Sequence, residues 1–244
     1  VRIMAEQLIK IAATRYQAQA EPLLAQDGSF EEFCARFTFT ETEDQLNAIN
    51  DMITDLASGK ASDRLICGDV GFGKTEVALR GAFIAAMAGF QVALVAPTTL
   101  LARQHGKVFT ERFTGFPVKI GVLSRMTGTS DAKKIREDIT SGEIQIVIGT
   151  HALLAKSIQF NHLGLLIIDE EQHFGVGQKE RLKELRGDIH VLTLSATPIP
   201  RTLQMALSGV REMSLIATPP VDRLAVRTFV GPWDGVVLRE AVHR

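Results

Sequence analysis

Cysteine is scarce in this sequence: Cys34 and Cys67 are the only two in 244 residues. Two thiols cannot form the disulfide framework on which small secreted domains rely, so the composition favours a reducing compartment. Long apolar runs are also missing, because Gly or a charged residue interrupts them well before the roughly 18–20 residues that span a bilayer. No basic segment followed by an apolar one begins the sequence, as a signal peptide would require. These absences predict a cytoplasmic domain without membrane contact.

The sequence has no excess of either charge and few aromatic residues. Its 27 Lys and Arg residues nearly balance 28 Asp and Glu residues, and 6% of residues are Phe, Trp or Tyr. A domain held on nucleic acid mainly by charge would be more basic, and one that stacks single strands would be richer in aromatics. With 45% hydrophobic residues over this length, the chain can bury a sizeable core. The composition therefore excludes general disorder and favours one large globular domain with a smaller extension.

Apolar segments alternate with helical segments from Thr42 onward. The predicted strands are near-continuous runs of Val, Ile and Leu, as parallel strands covered on both faces require. They span residues 64–67, 91–95, 118–123, 144–148, 165–168 and 189–194. After Gly209 the pattern is weaker and predicts a short strand, a turn at 218–220, another strand and a terminal helix from about Trp233. Strands that alternate with helices predict a doubly wound α/β domain with a parallel sheet.

The residues before this domain predict a helical extension over residues 1–38. Met4, Leu8 and Ile11 recur at helical spacing within the first 20 residues. Ser29 and Glu32 have the spacing of a capping box, which predicts a short helix with Ser29 as its N-cap.

The clearest functional signal is a glycine-rich turn between the first strand and the helix after it. It matches the phosphate-binding pattern G-x-x-x-x-G-K-[ST] with Gly68, Asp69, Val70, Gly71, Phe72, Gly73, Lys74 and Thr75. Glycines let backbone N–H groups converge on a phosphate chain, and the helix N-terminus adds positive potential. We expect Lys74 to reach the β- and γ-phosphates of ATP and Thr75 to bind Mg²⁺. The alternative, a glycine-rich turn without a ligand, does not explain the complete pattern in this position.

A second signal is the acidic group Asp169, Glu170 and Glu171, which directly follows an apolar strand. A carboxylate in this position holds Mg²⁺ in P-loop enzymes. We expect Asp169 to bind the metal through water and Glu170 to polarise the attacking water. Acidic residues after a strand otherwise accompany a helix N-terminus. Here, however, the acidic group is paired with the phosphate-binding turn, whose Lys74 lies 95 residues upstream of Asp169. The two motifs together indicate an ATPase.

Further short motifs make the sequence resemble the superfamily 2 helicases. They lie at residues 42–45, 96–99, 124–125, 149–151 and 195–198. The resemblance implies a RecA-like lobe in which Gln45 reads the adenine edge. It also implies that Thr98, Thr99, Arg125 and Thr150 contact the DNA backbone, and that Ser195 and Thr197 connect the γ-phosphate site to the DNA-facing surface. Taken singly, residues 42–45 could be a plain capping box and residues 97–98 an ordinary helix start, but the shared order favours a helicase.

Longer segments narrow the resemblance to the first translocase domain of the bacterial transcription–repair coupling factors. They span residues 67–80, 169–175, 196–202, 216–220 and 237–241. The resemblance assigns residues 39–220 to a RecA-like ATP-binding lobe and residues 221–244 to a connector toward a second lobe. It implies ATP and Mg²⁺ as cofactors and double-stranded DNA as a partner. RNA polymerase and excision-repair proteins would bind other parts of the full-length protein, which displaces stalled polymerase.

Two other functions stay open at this point. A RecG-like fork-remodelling helicase shares the motif at residues 196–202, and a nucleotide-gated interaction module would bind ATP and a protein but no DNA. Glu170 and the intact motif at residues 97–99 weigh against the interaction module. The arginine-bearing motif VI of these helicases is missing, so the sequence predicts one lobe of a two-lobe motor with weak ATP hydrolysis by itself.

Overall fold

A computed structural model of the protein describes residues 18–25, 28–155, 157–175, 177–178, 181–182, 187–196, 211–220 and 230–243. Its strands are β1 (Asp63–Gly68), β2 (Gln91–Val95), β3 (Ile120–Leu123), β4 (Ile146–Gly149), β5 (Leu163–Asp169), β6 (His190–Ser195) and β7 (Glu212–Ile216). They form one sheet in the order β3-β4-β2-β5-β6-β1-β7, and every neighbouring pair is parallel. The predicted parallel α/β sheet is confirmed.

The α-helices that lie wholly in the described ranges are α1 (Ser29–Ala35), α2 (Glu43–Ala57), α3 (Lys74–Met87), α4 (Thr99–Arg112), α5 (Thr129–Ser141) and α6 (Gly235–His243). Short 3₁₀ helices span His151–Leu154 and Glu171–His173. The cores lie on both faces of the sheet, as a doubly wound fold requires. Helices α1 to α4 contribute to the core on one face, whereas α5 contributes to the core on the other. None of the helices in the described ranges combines the length and apolar character that crossing a membrane needs.

The start of α1 corrects the predicted capping box by one residue. Gly28, with φ of +81°, is the N-cap, and its N–H donates to the Glu31 carboxylate at 2.6 Å. Ser29 is instead the first helical residue, and Glu32 pairs with Arg36 one turn later. A left-handed φ suits glycine, which explains why Gly28 takes the cap position.

Strands β3 and β4 each begin two residues later than predicted. The N–H of Lys119 donates to the side chain of Gln145, and the N–H of Ile144 donates to the Asp138 carbonyl. These bonds engage the residues before the strands outside the regular pairing of β3 with β4, although Val118 and Ile144 are apolar enough to continue the pattern. The predicted first helix over residues 1–20 lies outside the described residues up to residue 17, and its last three residues are not helical, since Gln19 forms an isolated antiparallel bridge with Lys60. The second strand predicted after residue 220 lies outside the described residues.

Candidate nucleotide and nucleic-acid site

The predicted functional motifs lie at one edge of the sheet, where the strands have their carboxyl ends. Parallel strands share this edge, and ligand sites of α/β proteins form there. The phosphate-binding turn lies at the end of β1, the acidic group begins with the last residue of β5, and Ser195 is the last residue of β6. These three strands are adjacent. The residues predicted to contact DNA follow β2, β3 and β4, which are adjacent on the other half of the sheet. Strand order therefore separates the residues predicted to bind nucleotide from those predicted to contact DNA, and we call the two groups the nucleotide half and the nucleic-acid half of the edge. Strands β5 and β2 are neighbours where the two halves meet.

Two left-handed glycines shape the turn between β1 and α3. Gly71 and Gly73 have φ of +79° and +83°, which L side chains rarely adopt. A Cβ on Gly73 would also lie 2.4 Å from Nε2 of Gln45, so a side chain there would displace the Gln45 amide. Asp69 and Val70 form the exposed tip, where the Asp69 carboxylate accepts the Val70 N–H at 2.7 Å. The turn thereby brings the backbone N–H groups that begin α3 to the sheet edge.

Lys74 is the first residue of α3, and its side chain extends over the turn. Its Nζ donates to the carbonyl oxygens of Gly68 at 2.6 Å and Asp69 at 3.0 Å. Burial lowers the pKa of Lys74, and the negative charges of Glu170 and Asp169 oppose that shift. Lys74 is thus close enough to both acidic residues to interact with them electrostatically. The half-buried Thr75 follows it in the first turn of α3.

Asp169 is the last residue of β5 and is 8% exposed. Its Oδ2 accepts a hydrogen bond of 2.8 Å from Nε2 of His105 on α4. Sequence reasoning missed His105, because a single histidine on a helix carries no signal of what it contacts across the sheet. Only the packing of α4 against the strands brings the two side chains together.

Glu170 combines an unusual backbone conformation with a fully engaged carboxylate. Within the described ranges it is the one residue other than glycine with a positive φ, at +49°. A left-handed conformation costs such a residue about 1–2 kcal/mol. Oε1 accepts the Ala196 N–H at 3.0 Å, and Oε2 accepts from Ser195 Oγ at 3.5 Å and from Gln172. The predicted site residues Glu170 and Ser195 therefore lie together, whereas Thr197 lies outside the described residues.

Gln45 is buried and holds the turn in place. Its Oε1 accepts the Thr42 N–H at 3.0 Å and its N–H donates to Thr42 Oγ1 at 3.3 Å, which confirms the capping box. Its Nε2 donates to the Phe72 carbonyl at 2.9 Å. Adenine reading by Gln45 stays a prediction, and it would require the side chain to exchange this bond.

Gln45→Ala is expected to weaken ATP and GTP binding alike, by about fivefold, because the turn loses one hydrogen bond worth about 1 kcal/mol. A competition assay with the two nucleotides measures the effect. Gln104→Ala, which alters an exposed position on α4, is the control. A loss confined to ATP would contradict the anchoring role and support adenine reading instead.

The residues predicted to contact DNA differ in exposure. Thr98 is exposed and caps α4, with its Oγ1 accepting the Leu101 N–H at 3.2 Å, and Thr99 beside it is half-buried. Arg125 is exposed in the turn after β3. Thr150, however, is 2% exposed, and its hydroxyl has no hydrogen-bond partner in the part of the chain that the structure describes. Thr98 and Arg125 are therefore exposed at this edge of the sheet, whereas the Thr150 side chain is withdrawn from the surface.

Comparisons with known proteins agree with this geometry. The family model of the DEAD/DEAH box helicases matches residues 42–206. The chain is 54% identical over 246 residues to the transcription-repair-coupling factor of Rickettsia bellii, and 49% identical over 244 residues to that of Escherichia coli. These alignments cover 99% and 100% of this chain. The chain spans about a fifth of the length of these relatives, at 22% and 21%.

Solved structures show the same fold. RecG bound to a three-way DNA junction matches with a TM-score of 0.75 and 33% identity, over 91% of this chain and 31% of that chain. The DNA-bound helicase MrfA matches with a TM-score of 0.59 over 82% of this chain and 31% of that chain, and its 19% identity bears on the fold alone. The RecA-like fold predicted from the sequence is confirmed.

Proposed function

The chain belongs to the DEAD/DEAH box helicase family, and on that premise we propose that it is the ATP-binding motor lobe of a double-stranded DNA translocase. The proposed translocase acts in transcription-coupled nucleotide-excision repair and displaces stalled RNA polymerase. The observation that carries the proposal is the convergence of Lys74, Asp169 and Glu170 at one sheet edge, in a chain that is 49–55% identical to transcription-repair-coupling factors. The proposed lobe spans residues 39–220, between the extension at 1–38 and the connector at 221–244.

The residues at the sheet edge fit a magnesium nucleotide. A half-buried lysine, the N-terminus of α3 and two carboxylates supply donors for phosphate and oxygen ligands for the metal. When bound, Mg²⁺ would neutralise charge on the phosphates. Lys74 would exchange the Gly68 and Asp69 carbonyls for phosphate oxygens, while Thr75 and Asp169 would hold the metal, Asp169 through water. Glu170 would accept a proton from the attacking water.

The bonds of Glu170 support a coupling role for the end of β6. The Ala196 N–H and the Ser195 hydroxyl both contact the carboxylate of the proposed base. A change in the segment after Ser195 would therefore move the base directly. In the proposal Ser195 and Thr197 carry this signal between the γ-phosphate and the DNA-facing surface.

The nucleic-acid half of the edge supports backbone contact without sequence reading. Hydroxyls and N–H groups at a helix start bind phosphates and position a duplex, which does not require a strongly basic domain. Thr98, Thr99 and Arg125 would make these contacts, and the buried Thr150 would join them only after local movement. RNA polymerase and excision-repair proteins would bind elsewhere in the full-length protein. RecG-like fork remodelling is the second candidate, since the RecG structure matches at a TM-score of 0.75.

Two substitutions test the proposed division of roles at the nucleotide site. Lys74→Ala should weaken ATP binding by about 10- to 100-fold, because a charge-assisted bond to phosphate is lost. Glu170→Gln should stay within about threefold of the unmodified protein, since it removes the base but keeps its size and polarity. Calorimetric titration with ATP and Mg²⁺ measures both affinities.

Lys107→Ala is the matched control, because it removes a lysine that is 78% exposed on α4. Its ATP affinity should not change. Equal losses in Lys74→Ala and Glu170→Gln would show that the assigned division between phosphate binding and water activation is wrong.

A further inference from the structure

A buried histidine contacts the carboxylate to which the proposed function gives the metal. His105 is 7% exposed, and its Nε2 lies 2.8 Å from Oδ2 of Asp169, which is 8% exposed. We infer that His105 is a positioning residue for Asp169, which fixes the carboxylate so that its other oxygen, Oδ1, faces the Mg²⁺ site. This inference rests on the proposed function, and its test is designed to separate the two.

The chemistry of the pair sets the direction of the bond. An ionised carboxylate only accepts hydrogen bonds, so Nε2 of His105 carries the proton and donates it. The bond occupies Oδ2, while Oδ1 of Asp169 accepts no hydrogen bond from the described residues. A carboxylate held through one oxygen keeps a fixed orientation for the other, and such outer hydrogen bonds commonly tune metal affinity by 10–100-fold.

Packing around His105 shows that the position would otherwise suit an apolar residue. Ala102 and Phe109, one turn before and after it on the same side of α4, are fully buried in the hydrophobic core. A polar ring in this row costs free energy unless it finds a partner. Asp169 is the partner that the structure provides, which explains a histidine here better than packing does.

The close approach of α4 to the sheet fixes where His105 points. A Cβ on the adjacent Gly106 would lie 2.7 Å from Cγ2 of Val122. The backbone of α4 therefore packs directly against the Val122 side chain of β3 at this point. His105 also lies seven residues, or about two turns, after the N-cap Thr98. The metal carboxylate is therefore tied to the helix whose first turn carries the proposed DNA contacts.

Two variants of His105 separate positioning from packing. His105→Leu removes the donor but fills the apolar row, whereas His105→Gln retains an N–H donor of similar reach. Phe109→Leu, which alters the same buried row without touching Asp169, is the control for packing. For each variant, calorimetry first measures the affinity for ATPγS in EDTA. The titration is then repeated at increasing Mg²⁺ concentrations, which gives the concentration that produces half of the Mg²⁺-dependent increase in ATPγS affinity. Electron paramagnetic resonance of Mn²⁺ reports the metal site independently.

We expect the loss of the His105 donor to weaken Mg²⁺ binding and to leave nucleotide binding without metal unchanged. His105→Leu should raise the half-saturating Mg²⁺ concentration about tenfold and His105→Gln less than about threefold. Affinity in EDTA should stay unchanged in both variants, and Phe109→Leu should leave the Mg²⁺ dependence unchanged. The Mn²⁺ spectrum should change in His105→Leu and be restored in His105→Gln. If His105→Leu does not fold, His105→Asn, which is too short to reach Asp169, should give the same tenfold effect.

Three results would overturn the inference. The first is an unchanged Mg²⁺ dependence in folded His105→Leu or His105→Asn. The second is a loss of ATPγS affinity in EDTA as large as the loss in Mg²⁺, and the third is failure of His105→Gln to restore metal binding. Absence of ATPγS binding by the unmodified protein would instead count against the proposed function, because the metal effect is defined relative to that binding.

Discussion

Residues 1–244 are expected to bind ATP but to hydrolyse it slowly, with little stimulation by duplex DNA. A longer protein that adds the second RecA-like lobe should hydrolyse ATP about 10³–10⁵-fold faster, which is the contribution of an arginine finger to phosphoryl transfer. The finger stabilises negative charge on the γ-phosphate oxygens. In this superfamily it comes from the second lobe, so the cleft must close before the finger contributes.

Three buried arginines of the described residues and the half-buried Arg112 support this expectation, because acidic side chains hold each of them. Arg64 bonds Asp55, Arg80 bonds Glu41 and Glu76, Arg112 bonds Glu76, and Arg211 bonds Asp63. Moving any of them to a phosphate would leave a buried or half-buried carboxylate without its partner, which costs free energy. Arg201, the arginine just after the proposed coupling motif, lies outside the described residues.

Phosphate release in steady state, with and without duplex DNA, measures the difference between the two proteins. Glu170→Gln in the longer protein is the control and should abolish the DNA-stimulated rate in that protein. Comparable DNA-stimulated turnover in both proteins would disprove the proposal that hydrolysis requires a second lobe. If the longer protein bound no duplex DNA at low salt in a filter-binding titration, the nucleotide-gated interaction module would become the better interpretation.

Sequence periodicity was sufficient to predict the fold because the sheet is buried on both faces. Runs such as residues 91–95 and 165–168 are apolar throughout, which distinguishes a covered parallel strand from a half-exposed one. The phosphate-binding turn and the acidic group were predictable for a different reason, since their chemistry depends on residues that are contiguous in the chain. Their proximity in space depends on the strand order β5-β6-β1, which the structure shows and no local pattern in the sequence specifies.

Contacts between distant residues could not be predicted. The bond from His105 to Asp169 joins residues 64 positions apart, and the bond from Gln45 to Phe72 joins residues 27 apart. Neither pair has a spacing that a local rule recognises. The burial of Thr150 likewise depends on packing around the 3₁₀ helix that follows β4, not on its own polar character. The sequence therefore indicated which residues are candidates for the functional site. Packing decides which of them are exposed and which are held by hydrogen bonds to distant residues.

Glu76 anchors a buried charge network behind the phosphate-binding turn. The residue is 5% exposed, and its Oε1 accepts from Arg80 Nε at 3.0 Å and from Arg112 at 2.7 Å. Arg80 also pairs with Glu41, and Arg112 donates to the Phe33 carbonyl at 2.8 Å. Burial raises the pKa of Glu76, and the two guanidinium groups oppose that shift. The network joins α3 to α4, to α1 through the Phe33 carbonyl, and to Glu41 before α2.

Glu76→Ala is expected to lower the free energy of unfolding by about 3–5 kcal/mol, because it leaves the buried Arg80 and the half-buried Arg112 without the carboxylate they share. Urea unfolding followed by circular dichroism measures the change. Glu111→Ala is the matched control, since that carboxylate is 65% exposed and its pair with Lys107 spans 3.8 Å on α4. An exposed pair of this kind contributes less than about 0.5 kcal/mol. A loss in Glu76→Ala no larger than that of Glu111→Ala would show that the network does not stabilise the fold, and that the buried arginines find other partners once Glu76 is removed.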